Sequence, residues 1–293
     1  MKRHPLLVFF VLMFALSWGI WLWLALAPKS FPLSLEGGKL LGAFGPCLAA
    51  LIVTGMVEGV AGLRKLFGRL LIWRVSLGWY LIALLLPAGI SLMTTALHMM
   101  FGGDAPDFGN PPIYRVELPK LLMEYNAWTI LIPVFLMELV FGSSLGEELG
   151  WRGFALFRLQ QRLRALDATL IVALVWTVWA QPLLHLQQTK DFVVPFLVML
   201  VGVIPAQVLT TWIFNSTGGS LLLVVLFNNA YKVTDWFLAP PDTAPVVSVA
   251  AYWLTTLLVV SAVGANRLTL RPAPEPETRP SQPAAGGEVE PPQ

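Results

Sequence analysis

Cysteine occurs once in this chain of 293 residues, as Cys47, and histidine three times, as His4, His98 and His185. A single cysteine excludes an intrachain disulfide and any multi-cysteine metal cluster. A three-histidine zinc site would have to draw on all three imidazoles from three distant places, so none is expected. Charge is scarce as well. Asp, Glu, Lys and Arg make up 12% of the residues against 56% hydrophobic ones, and the mean hydropathy is +0.70, values that belong to a polytopic membrane protein and exclude an ordinary soluble domain. The expected partner is therefore the lipid bilayer, with no nucleic acid.

The hydrophobic residues fall into long runs. The first, from Pro5 to about Ala27, follows Met-Lys-Arg-His and is long enough to cross a bilayer about 30 Å thick, so it reads as a retained first helix rather than a signal peptide. Further spans are predicted at about Leu40 to Val60, Trp79 to Met100, Tyr125 into the residues before Glu147, Ala168 to Leu186, Phe192 to Phe214, Ser220 to Leu238 and Pro245 to Ala265. Two basic amphipathic pieces, GLRKLFGRLLIWR ending at Arg74 and Phe157 to Leu166, are expected on the membrane surface. A Gly, Pro and Asp-rich loop follows Met100 and is expected to be irregular. The fold expected is all-α, a polytopic membrane helical bundle of about eight transmembrane helices. Residues 1–266 would form one transmembrane domain, and residues 267–293, rich in Pro, Glu and Gly, a disordered tail.

Loop charge sets the orientation. With the N-terminus inside, Lys2, Arg3, Arg64, Lys65, Arg69, Arg74, Arg152, Arg158, Arg162, Arg164, Arg267, Arg271 and Arg279 lie on the cytoplasmic side. Only Lys29, Lys39, Arg115, Lys120 and Lys190 lie opposite, and Lys232 falls within a span. That is the bias of the positive-inside rule, and it places both termini in the cytoplasm.

Against this apolar background stands GSSLGEELGWRGF, which sets Glu147 and Glu148 side by side and follows them with Arg152. Ionisable residues within a membrane segment are expensive, about 2.5 to 3.5 kcal/mol each on insertion scales, and mark a functional site by default. On a helix Glu148 and Arg152 are four apart and face each other, the order that favours an ion pair. Glu147 lies about 100° around the helix from its neighbour, so Arg152 leaves it unpaired and available as a general base toward water. Gly142, Gly146 and Gly150 recur every fourth residue, a small-residue stripe that admits a neighbouring helix. The many tryptophans, among them Trp151, Trp176, Trp179 and Trp212, are read as helix packing or interfacial residues.

At these residues the sequence resembles the CAAX protease and bacteriocin-processing (CPBP, or Abi) family of membrane proteases. The first motif of that family, Glu-Glu-x-x-x-Arg, is matched by Glu147, Glu148 and Arg152, and FGPCLAALIV, GLRKLFGRLLIWR and WYLIALLLP resemble stretches upstream of it. The likeness covers most of Phe44 to Asp235, with a family-like core at about 44–238. It implies a membrane-embedded endopeptidase that hydrolyses peptide bonds of membrane-associated proteins or peptides, in which a motif-one Glu activates water. A divalent metal such as zinc is a cofactor by this resemblance alone.

Two later motifs of the family each supply a histidine, and here the chain departs. WTVWAQP puts Ala180 at the first of these positions, and NNAYK puts Asn228 at the second and Lys232 four residues on. Alanine neither binds metal nor moves a proton, and an amide does not titrate. Lys232 can pair with Asp235 or with a motif-one Glu, and a salt-bridged Glu147 would be a poor base. The site expected is thus Glu147, Glu148, Arg152 and Asn228, the last as a polar contact for a developing oxyanion, with His185 and Lys232 as accessory candidates. His185 reaches the site only if Pro182 redirects the chain. Three functions follow: a membrane endopeptidase, a catalytically inactive member that binds or regulates, and a small-solute transporter, against which the lack of an evident inverted repeat counts. The short loops suit a multi-pass protein of a prokaryotic cytoplasmic membrane.

Overall fold

The computed structural model describes residues 4–115, 122, 124–186, 193–238 and 245–270, and within them every regular element is helical. Helix α1, Pro5–Leu26, carries proline in its first turn, where no N–H partner is lost, and its 22 residues cover about 33 Å at 1.5 Å per residue. Helix α2, Leu35–Ala43, starts at Ser34, whose hydroxyl accepts from the Gly37 N–H at 3.1 Å. Helix α3, Gly45–Gly68, is broken at Gly59, where φ is 64° and only glycine is unstrained, so the basic stretch after it is a separate helical piece. Helix α4 spans Leu77–Met100 and leads into the expected irregular loop.

The predicted fourth span is not one helix. Its first part, α5, covers Leu131–Phe141; the chain then breaks at Gly142, which is extended with ψ of 179°, and restarts as α6, Ser144–Gly150. The axes on the two sides of the break differ by 43°. The glutamates therefore stand near the start of a second helix rather than at the end of the first. The glycine stripe is divided for the same reason: Gly142 forms the break, whereas Gly146 and Gly150 face α3, where an added Cβ would lie 2.9 Å from the Phe44 ring and 2.5 Å from Pro46. Beyond α6 the chain widens into a π-helical turn, Trp151–Leu156, and closes with the α-helical turn Phe157–Leu159. The expected amphipathic helix to Leu166 is thus replaced by the end of this helix and a turn.

Helix α7, Ala165–Trp179, ends at Ala180, and α8, Gln181–Leu186, follows it; at 15 residues α7 is short for a complete crossing. Helices α9, Val193–Ser216, α10, Leu221–Leu238, and α11, Pro245–Val263, complete the bundle. Six helices among the described residues are long and apolar enough to cross a membrane, seven if the broken pair counts as one span; with the shorter apolar α7 this accords with about eight. Helix α10 packs against α4, α5 and α6, α9 against α7 and α11, and α3 against α1 and α6. The main core joins Phe9 of α1 to Trp151 and Phe154 of the π turn, with Phe9 and Phe154 stacked at 4.7 Å, and extends through Trp179 to Phe227. The first N–H groups of α7 are satisfied from the far end of the chain: Ala165 donates to the Asn266 carbonyl at 2.8 Å and Leu166 to that of Ala265 at 3.1 Å. Leu268 is buried and the Arg267 carbonyl accepts from Asn215 Nδ2 at 2.7 Å; the rest of the expected tail, from residue 271, lies outside the described residues.

Candidate active site

The break at Gly142 turns α6 inward, so that both glutamates and Arg152 are almost wholly buried, at 7%, 2% and 2% exposure. Glu148 and Arg152 pair as their spacing requires, Nη1 lying 3.1 Å from Oε1. The opposite terminal nitrogen of Arg152 donates to Gln207 Oε1 of α9. Glu148 Oε1 accepts a second bond, at 2.8 Å, from Asn228 Nδ2 of α10. The π turn begins at Trp151, immediately before the arginine, a distortion frequent at functional sites.

Glu147 is not free either. Its Oε1 accepts from Ser143 Oγ at 2.7 Å and from Lys232 Nζ at 3.0 Å, and its Oε2 from the Trp176 indole N–H at 3.3 Å. Lys232 also donates to Ser143 Oγ and lies 3.8 Å from Glu138 Oε1. One ammonium thus sits between two carboxylates on either side of the break. Of the two partners the sequence offered Lys232, the structure selects Glu147 and not Asp235.

These side chains open onto a cavity of about 430 Å³ between α4, α6, α9, α10 and α11. Glu147, Glu148, Arg152, Asn228 and Lys232 all line it. Ala180 does not: it is fully buried at the end of α7, beside Trp179 in the aromatic core. The backbone of His185 lies in α8, while its side chain is outside the described ones. Trp176, whose sequence context reads as packing or interfacial, touches Glu147, and Ser143 and Gln207, which no motif marks, also bond to the charged groups. Trp151 and Trp179 do pack, with ring centroids 5.6 Å apart.

The donor set does not fit zinc. No three His, Cys, Asp or Glu side chains converge among the described residues, and an ammonium already occupies Glu147.

A bundle of membrane-length helices enclosing a buried carboxylate and guanidinium centre defines this chain as a multi-pass integral membrane protein. Residues 121–233, which include Glu138, Glu147, Glu148, Arg152 and Lys232, match the family model described as type II CAAX prenyl endopeptidase Rce1-like. The chain is also 22% identical over 183 residues to the CAAX prenyl protease 2 of Methanococcus maripaludis, an alignment covering 60% of this chain and 62% of that protein. Over this region the chain is thus similar to CAAX prenyl endopeptidases, and the alignment spans less than two thirds of the length of that relative.

Proposed function

We propose that the protein is a membrane-embedded endopeptidase that hydrolyses peptide bonds of membrane-associated proteins or peptides, with Glu147 as the base. The observation that carries this reading is the burial of Glu147, Glu148 and Arg152 at one wall of a cavity large enough for a peptide segment. In it, water beside Glu147 attacks the peptide carbonyl: a C–O bond forms, Glu147 takes the proton, and that proton passes to the leaving amine as the C–N bond breaks. Lys232 moves from the carboxylate to the developing oxyanion, and the Asn228 amide faces the same charge. Glu148, held by Arg152 and Asn228, fixes the helix rather than reacting.

The test is turnover of a membrane-peptide library by the full-length protein in nanodiscs, wild type beside Glu147→Gln. Cleavage that disappears in the variant supports the reading; equal product from both proteins refutes it. One observation favours a second reading, an inactive member that binds or regulates: the Lys232 ammonium is held on Glu147 by Ser143 as well as by the carboxylate. Absence of any cleavage by the wild type, with binding retained, would select it. The source membrane in either reading is a prokaryotic cytoplasmic one, with both termini inside.

A further inference from the structure

Five charged side chains among the described residues line the cavity: Glu147, Glu148, Arg152, Lys232 and Asp235. Arg152 is matched by Glu148 and Lys232 by Glu147, at 3.1 and 3.0 Å. Asp235 lines the cavity, is exposed, and is left without a hydrogen-bond or ion-pair partner among the described residues. Within a membrane a carboxylate without a countercharge is costly, and such residues face cavities and pair with a cation. Two aromatic rings stand beside it. Tyr231, one turn before it on α10, and Tyr252 of α11 line the same space with centroids 5.7 Å apart and planes at 62°, and the electron-rich faces of such rings attract cations. We infer that Asp235, Tyr231 and Tyr252 form a subsite for a cationic side chain, arginine or lysine, of the peptide that enters the cavity.

The position relative to the proposed chemistry follows from the helix. Asp235 is three residues beyond Lys232, a rise of about 4.5 Å, and an extended peptide advances about 3.3 Å per residue. The basic residue therefore sits one or two positions from the bond held at Glu147. This register rests on the peptidase reading; the subsite itself does not, because binding is measurable without hydrolysis.

The experiment uses full-length protein with Glu147 retained, so that Lys232 keeps its countercharge, in phosphatidylglycerol nanodiscs, and probes whose N-methylated backbones resist cleavage. The probes are short fluorescent apolar peptide amides with one arginine placed at successive positions, each beside its glutamine counterpart. Arginine at one or two adjacent positions is expected to tighten binding about tenfold over glutamine, the size of one desolvated charge pair. Asp235→Asn should abolish that preference and Asp235→Glu retain most of it, while peptides without arginine bind all three proteins alike. An unchanged arginine preference in Asp235→Asn, or no preference in the parent protein, overturns the subsite. A preference that vanishes when phosphatidylcholine replaces phosphatidylglycerol would show the choline headgroup, not a peptide side chain, to be the occupant, and would overturn the assignment to peptide. Failure of the peptidase reading would appear separately, as absent cleavage of peptides without N-methylation by the same protein.

Discussion

Replacing Lys232 with methionine keeps the stem of the side chain and removes the cation that Glu147 and Glu138 share. At an effective dielectric constant of about 20, a unit-charge contact of 3.0 Å amounts to about 5.5 kcal/mol of attraction before the loss of hydration is subtracted. The lysine side chain is 22% exposed, and hydration offsets most of this, leaving a net coupling of about 1 to 3 kcal/mol. The appropriate assay is a double-mutant cycle on unfolding in a mild detergent: wild type, Lys232→Met, Glu147→Gln and the double variant. Lys232→Met alone should be the least stable, because it leaves Glu147 without its countercharge and faces it toward Glu138. Glu147→Gln should recover part of that loss. If the two changes add within about 0.5 kcal/mol, the groups are not coupled and the account of the site is wrong.

Arg152→Met should destabilise by about 3 to 5 kcal/mol, since it leaves Glu148 buried with only the Asn228 amide, and Arg152→Met with Glu148→Met should be the milder change; equal losses by denaturant titration would count against a buried pair. Gly150→Ala places a methyl group 2.5 Å from Pro46 and should cost about 1 to 3 kcal/mol, whereas Gly89→Ala, where nothing lies within 4 Å, should be neutral; a difference in melting temperature between them checks the close approach of α6 to α3. Because the donor set does not suit zinc, any Glu147-dependent cleavage should persist in a strong chelator, and loss of activity restored by added zinc would refute that reading.

What was legible in the sequence was whatever depends on neighbours along the chain. The long apolar runs give the helices, and the four-residue separation of Glu148 and Arg152 gives their pairing. The break in the fourth span also had a local sign, a glycine followed by two serines, but the apolar run before it and the glycine repeat through it read as one continuous helix. The remaining contacts are set by packing. Gln207 reaches Arg152 from 55 residues away and Trp176 reaches Glu147 from 29, and no spacing rule selects either. Lys232 had an acid one turn away and another 85 residues back; the turn of the chain at Gly142 brings the distant one to its ammonium. Ala180, aligned with a family motif, lies in the aromatic core because α7 ends there, and the tryptophan one turn earlier faces the cavity instead.

The two bonds from the start of α7 to the carbonyls of Ala265 and Asn266 have a bearing on how the protein is made and handled. The first two N–H groups of the helix that carries Trp176 to Glu147 take their acceptors from the other end of the fold, so these two bonds form only once Ala265 and Asn266 have been made. A chain ending before Ala265 would leave these two donors without those acceptors, at a cost of about 1 to 3 kcal/mol each where water does not replace them. A purification tag or reporter fused directly after Val263 would disturb the same place. Attached beyond Leu270, past the buried Leu268, it would leave that closure intact.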